Sequence, residues 1–267
     1  MTTLRPSRIV KSFKNAGSGY SVLFANGDLY RFNQQGFWRV KGFRSRSVPV
    51  SMTLLRDDEM GHSSRLCVLF ADGTVASLTG DRWVVEAELM PRDGNPFVSM
   101  TGVRRSDLAV VCKDGVILDL ADRVLAETLE PHSTPAAVLM THPDSSGFYV
   151  VGTSGWVEAI NDDLPYFGSL ARERLNAPIV DGAVTAGGDG YWLLGADGGV
   201  FTFGAARFHG SLSGRISVHD ARSILPLKDG SGYWILARNG KVYAMGNCAY
   251  LGSCLHHPCG ALAVSLV

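Results

Sequence analysis

The densest group of chemically capable side chains lies near the C-terminus, where NCAYLGSCLHHPC places Cys248, Cys254, His256, His257 and Cys259 within twelve residues. Thiolates and imidazoles are the ligands zinc prefers, but structural zinc sites are built on paired C-x₂₋₄-C spacings, which this stretch lacks. Cys248, Cys254, His256 and Cys259 therefore stand only as weak metal candidates. A disulfide among the three cysteines would need an oxidising compartment. Free thiols beside surface histidines are the plainer reading, and no cofactor is expected. Cys67 and Cys112 sit in apolar runs and read as small core residues.

Carboxylates gather in RDDE at 56–59 and at Asp162 and Asp163. Neither group has the D-x-[DN]-x-[DN]-G order of a calcium loop, so solvated loops are expected. The chain has no P-loop, no G-x-G-x-x-G, no G-x-S-x-G and no H-E-x-x-H. GADGG at 195–199 reads as a hairpin turn, its Asp-Gly suited to the positive φ of type I′. The chain is read as non-enzymatic. A hydrolase or lyase would need polar groups converging from several strands, and Asp181 and Asp220 are the only acids on the expected leading strands.

Binding chemistry has more material. Trp38 and Trp83 fall on expected outermost strands, where an indole can stack on a sugar ring. Tyr149, Trp192 and Trp234 could do the same, but their place beside a column of strand aromatics favours core packing. Residues 1–47 hold nine basic residues and one acid, leaving 16 basic and 24 acidic residues for the rest of a neutral chain. Arg44 and Arg46 close this basic sector, which suits an anionic polymer or an acidic protein neighbour, or is simply a solvated face. Its charges are spread over four strands and their loops, which supports the solvated face; nucleic acid is a further anionic candidate but is not the expected partner.

The elements that must carry these residues come from an internal repeat. Anchoring on a turn glycine gives Gly27, Gly73, Gly115, Gly155, Gly198 and Gly240, separated by 46, 42, 40, 43 and 42 residues. Positions seven and five before the anchor and two after it are apolar in all six units. Each unit reads as four short strands with Gly-bearing turns, such as YWLLGA, VFTFG and RFHGSL after the leading strand IVDGAVTA. ADRVLAETLE at 121–130 is the nearest approach to a helix, and it stands where a fourth strand belongs.

Four strands per unit of about 40–50 residues is the pattern of a propeller blade. The expectation is an all-β, six-bladed β-propeller filling the chain as one domain. Its blades span about 8–43, 48–89, 97–129, 136–170, 179–212 and 220–254. GALAVSLV at 260–267 is a seventh leading strand without followers. It either takes the inner position of blade one, where RIVKSF at 8–13 is the other claimant, or docks on a partner.

YWLLGADGGVFTFGAARFHGSL resembles the GYWLxxxDGGVFxFGxAxFxGS repeat of actinobacterial propeller-like proteins, which also occurs in minor tail proteins of phages infecting those hosts. The likeness covers roughly 146–254, with Tyr191, Trp192, Asp197, Gly198, Gly199, Phe201, Phe203, Gly204, Phe208 and Gly210 on the pattern. The first two repeats, NGDLYRFNQQGFWRVKG and DGTVASLTGDRWVVEAEL, are more similar to tectonin-type lectin propellers; the third matches only the apolar columns. The resemblance implies a phage virion minor tail or tail-tip protein engaging other virion proteins or a host cell-surface glycan, with homo-oligomerisation open. A cytoplasmic tectonin-like lectin is the alternative, and a propeller hydrolase or lyase the second. The start MTTLRPSRIVKSF lacks the apolar core of an export signal and no run suits a membrane helix, so assembly in the host cytoplasm is expected.

Overall fold

The computed structural model describes residues 19–40, 42–43, 45, 47–56, 64–79, 82–103, 107–128, 132, 134–144, 146–161, 163–254 and 263–266. These residues form six antiparallel sheets of three or four strands and no α-helix. In the first sheet β1 (Gly19–Phe24), β2 (Leu29–Asn33) and β3 (Gly36–Val40) follow one another as hairpins. The second sheet repeats this with β4 (Pro49–Arg56), β5 (Ser64–Phe70), β6 (Thr74–Thr79) and β7 (Arg82–Glu88), and the third with β8 (Phe97–Gly102), β9 (Leu108–Cys112), β10 (Ile117–Asp119) and β11 (Val124–Ala126). The stretch 121–130 thus contributes a strand and not a helix.

The last three sheets have three strands each. They are β12 (Ala136–Thr141), β13 (Phe148–Gly152) and β14 (Val157–Ile160), then β15 (Ile179–Val184), β16 (Gly190–Gly195) and β17 (Val200–Gly204), then β18 (Ala221–Pro226), β19 (Gly232–Ala237) and β20 (Val242–Gly246). The expected fourth strands of these units, around 165–170, 207–212 and 249–254, are irregular segments. Side-chain bonds and single backbone contacts, not a ladder, hold them. The final strand, β21 (Ala263–Leu266), pairs antiparallel with β1, so the first sheet runs β21-β1-β2-β3. It occupies the edge of β1 that 8–13 was expected to take; residues 8–13 lie outside the described residues.

The turn before each third strand explains the anchor glycines. Gly27, Gly73, Gly115, Gly155, Gly198 and Gly240 all have φ between 83° and 96°, but the residue before each is not left-handed. The hairpins are therefore type I turns closed by a left-handed glycine, and not the type I′ turn expected for GADGG. Gly198 N donates to Gly195 O and Gly195 N to Gly199 O, both at 2.8 Å. The Asx before the glycine caps the turn: Asn26, Asp72, Asp114, Asp197 and Asn239 each accept the amide two residues on through Oδ1.

Burial follows strand position. β1, β9, β16 and β19, the second strand of their units, are buried at every residue, covered on both faces, which is why GYWLLG shows no alternation. The leading strands β4, β8, β12, β15, β18 and β21 lie side by side in that order. Separate apolar clusters join the second sheet to the third, the third to the fourth, the fourth to the fifth and the fifth to the sixth. A further cluster holds Trp234 and Leu236 of β19, Tyr20 and Phe24 of β1 and Val68 and Phe70 of β5, uniting the sixth, first and second sheets.

Candidate binding surface

The aromatic columns hold the irregular segments of the last three sheets in place. Within each sheet, a side chain of the second strand grips the carbonyl of its own segment. Tyr149 OH donates to Pro165 O, Trp192 Nε1 to Arg207 O and Trp234 Nε1 to Ala249 O, each at 2.8 Å. Between sheets, a tyrosine grips the segment of the sheet before it. Tyr191 OH donates to Gly168 O, Tyr233 OH to Gly210 O and Tyr20 OH to Gly252 O. Burial raises all four phenols above the ordinary tyrosine range and so keeps the donated proton in place.

The same three junctions share two further contacts. Rings meet across them: Tyr149 and Tyr191 at 5.3 Å, Trp192 and Tyr233 at 6.4 Å, Trp234 and Tyr20 at 5.6 Å. The gripped glycines have φ of 121°, 118° and 133°, and a Cβ there would press on Phe203, Met245 and Phe32 of the next sheet. Conformation favours glycine at all three positions, and tight space adds to it at Gly168 and Gly252. Tyr149, Trp192 and Trp234 are core residues, as their position beside the strand aromatics suggested.

This bracing presents one large apolar side chain outward per segment. Leu89, Leu170, Leu212 and Cys254 correspond, because each donates its amide to the carbonyl of its anchor glycine, Gly73, Gly155, Gly198 or Gly240. Four residues earlier stand Val85, Tyr166, Phe208 and Tyr250, exposed by 47%, 58%, 59% and 59%. The three rings have one backbone frame. The carbonyl before each is held by its own sheet, and the glycine two residues after each by the next sheet. Tyr250 is also tied by its hydroxyl to Ser253 Oγ at 3.0 Å, fixing the ring's orientation. Sequence reasoning missed these residues, although the Tyr166, Phe208 and Tyr250 spacing of 42 residues was available as a signal.

The residues singled out from sequence do not gather into one site. Trp38 lies on β3 opposite Arg31 in register. Trp83 on β7 is half-buried, its ring 5.7 Å from that of Phe43 at the edge of the core shared by the first and second sheets. Arg44, Arg46, His256 and Cys259 lie outside the described residues, as do Asp57, Asp58, Glu59 and Asp162. Arg39 pairs with Asp28, and Asp163 is an exposed loop residue. Cys254 fills the position that Leu170 and Leu212 take elsewhere, a core plug. Cys248 is a free thiol whose pKa burial pushes up to about 12. Among the described residues no group of three His, Cys, Asp or Glu side chains is placed to hold a metal ion.

Two polar constellations have residue types that could do chemistry. His142, Asp144 and Ser146 are the types of a nucleophilic triad, but Asp144 Oδ1 and Ser146 Oγ both face Nδ1, at 2.5 and 3.3 Å. A proton relay needs the carboxylate and the hydroxyl on opposite ring nitrogens. Here Nε2 faces Gly188 O of the next sheet at 3.2 Å, so the histidine clamps two loops together. The Asp144 carboxyl lies below its usual range through the Ser146 side chain and then His142. Asp181 is buried and accepts from Ser223 Oγ at 2.5 Å and Ile224 N at 3.0 Å, which joins β15 to β18. The arrangement is structural. No family model matches the chain, and no curated protein is similar to it.

Proposed function

We propose that the six sheets are the blades of a closed propeller and that the ring is a non-enzymatic binding and assembly module of a phage virion, a minor tail or tail-tip protein. Closure is supported by the junction between the sixth and first sheets. It repeats the tyrosine-to-glycine bond, the ring pair and the glycine contact of the two junctions before it, although Tyr20 and Gly252 are 232 residues apart. The strand pairing of β21 with β1 adds a second fastening.

Binding rests on one observation: three exposed aromatic side chains in equivalent, braced frames on consecutive blades. Exposed apolar rings cost solvation, and a scaffold that immobilises them in water is organised for contact with something else. The virion assignment follows from the resemblance of 146–254 to the actinobacterial repeat. Partners in this reading are neighbouring virion proteins or the host surface, after assembly in the host cytoplasm. The exposed rings equally favour the second reading, a cytoplasmic lectin.

Mass spectrometry of purified particles from the phage lineage encoding the chain distinguishes them. The virion reading expects its peptides at a few copies per particle. Abundance in infected-cell lysate with none in purified particles would overturn it and leave the lectin.

A further inference from the structure

We propose that Tyr166, Phe208 and Tyr250 are three platforms of one glycan-binding surface, each taking the C–H face of a pyranose ring. The inference rests on the reading of the chain as a binding module and names the ligand class of its exposed rings. A pyranose ring has an apolar disc of axial C–H bonds rimmed by hydroxyls. An aromatic face, with its negative quadrupole, is the matching surface.

Four observations favour this ligand. The rings are single residues repeated once in each of the last three blades, 42 residues apart, and so match a polymer that repeats one unit. They are held at the backbone on both sides by bonds of the buried Tyr and Trp columns, so little order is lost on binding. The Tyr250 hydroxyl is tethered to Ser253, so that ring is a fixed plate and not a mobile knob seeking a pocket. Polar groups adjoin the middle ring: exposed Arg207 precedes Phe208, and the His209 ring follows it with Nε2 on Gly230 O at 2.8 Å. The guanidinium suits the hydroxyls or a carboxylate at a sugar's rim.

The test uses the intact chain on a printed array of linear pyranosyl oligosaccharides of increasing length, neutral and carboxylated, followed by titration calorimetry with the best spot. Retention that strengthens with length is expected. Phe208→Ala should weaken binding about tenfold and Phe208→Tyr should keep it. The triple variant Tyr166→Ala, Phe208→Ala, Tyr250→Ala should lose at least about a hundredfold while still folding cooperatively and melting within about 6 °C of the parent, since all three rings are more than half exposed. Absence of any retained spot, or binding unchanged in the triple variant, overturns the proposal. So does a triple variant whose only change is its oligomeric state, which would make the rings a protein interface. A failed array with the chain present in particles would sink the glycan site and leave the virion reading standing.

Discussion

Replacing Tyr20 with Phe deletes one oxygen from the junction between the last and first sheets and leaves the ring pair with Trp234 in place. The lost bond is neutral and largely buried, so its net contribution is about 1 kcal/mol, rising toward about 2 if Gly252 O is left without a donor. At about 2–4 °C per kcal/mol for a chain of this size, the melting point should fall by roughly 2–8 °C. Tyr191→Phe and Tyr233→Phe make the same deletion at the two preceding junctions and serve as internal standards. In a closed ring the three are equivalent, and urea unfolding followed by tryptophan fluorescence should give three similar losses. Trp192 and Trp234 report directly, since both rings lie in these junctions. If Tyr20→Phe unfolds like the parent while the other two lose stability, the first and last sheets are not fastened in solution and the reasoning fails.

Deleting 260–267 removes β21 and bares the edge of β1, so the truncated chain should melt well below the parent or be recovered as aggregate; an unchanged melt would show the pairing is dispensable. Asp181→Ala removes the buried acceptor of Ile224 N and of the Ser223 hydroxyl and should cost about 2–4 kcal/mol in urea unfolding, whereas Ser223→Ala alone should cost less. Tyr20, Tyr149, Tyr191 and Tyr233 have raised pKa values in the folded chain. Their contribution is therefore complete below the unfolded value of about 10 and is lost as pH climbs above it, so stability measured by urea should fall steadily on the alkaline side. With its pKa near 12, Cys248 should be alkylated at about pH 8 roughly three orders of magnitude more slowly in the folded chain than in the unfolded one; rapid native labelling would contradict its burial.

What the sequence revealed was the part of the structure that local chemistry decides. A turn glycine between two apolar runs, preceded by Asn or Asp in five units and by Ser154 in the other, makes a hairpin wherever it stands, so six anchors located six sheets. The aromatic column was legible as core for the same reason. The irregular outer segments were not. RFHGSL has the residues of a strand, but its shape depends on Tyr233 and Trp192, which pin Gly210 and Arg207 and leave no ladder to form. Which face Phe208 turns to water follows from those bonds and not from any period in the sequence. The turn type was misread because Asp-Gly suits both hairpins, and the Asx cap, a side-chain contact, selects between them. Cys254 looked like chemistry because it neighbours other cysteines along the chain, whereas its structural equivalents are leucines in other repeats. The competition between 8–13 and 260–267 for the edge of β1 was visible as a surplus strand, but only the pairing decides which takes the place.

That pairing also sets a timetable. β1 leaves the ribosome long before its partner β21. At synthesis rates of about 5–20 residues per second, the edge of β1 waits roughly 10–50 s for the strand that covers it. During that interval every nascent chain carries an open template for a strand that all its neighbours on the same message will also produce. Two chains that exchange their final strands would satisfy the same hydrogen bonds as one chain closing on itself, at the cost of becoming a dimer. The yield of monomer should therefore depend on how densely ribosomes load the message, and slowing initiation should raise it more than lowering temperature after synthesis.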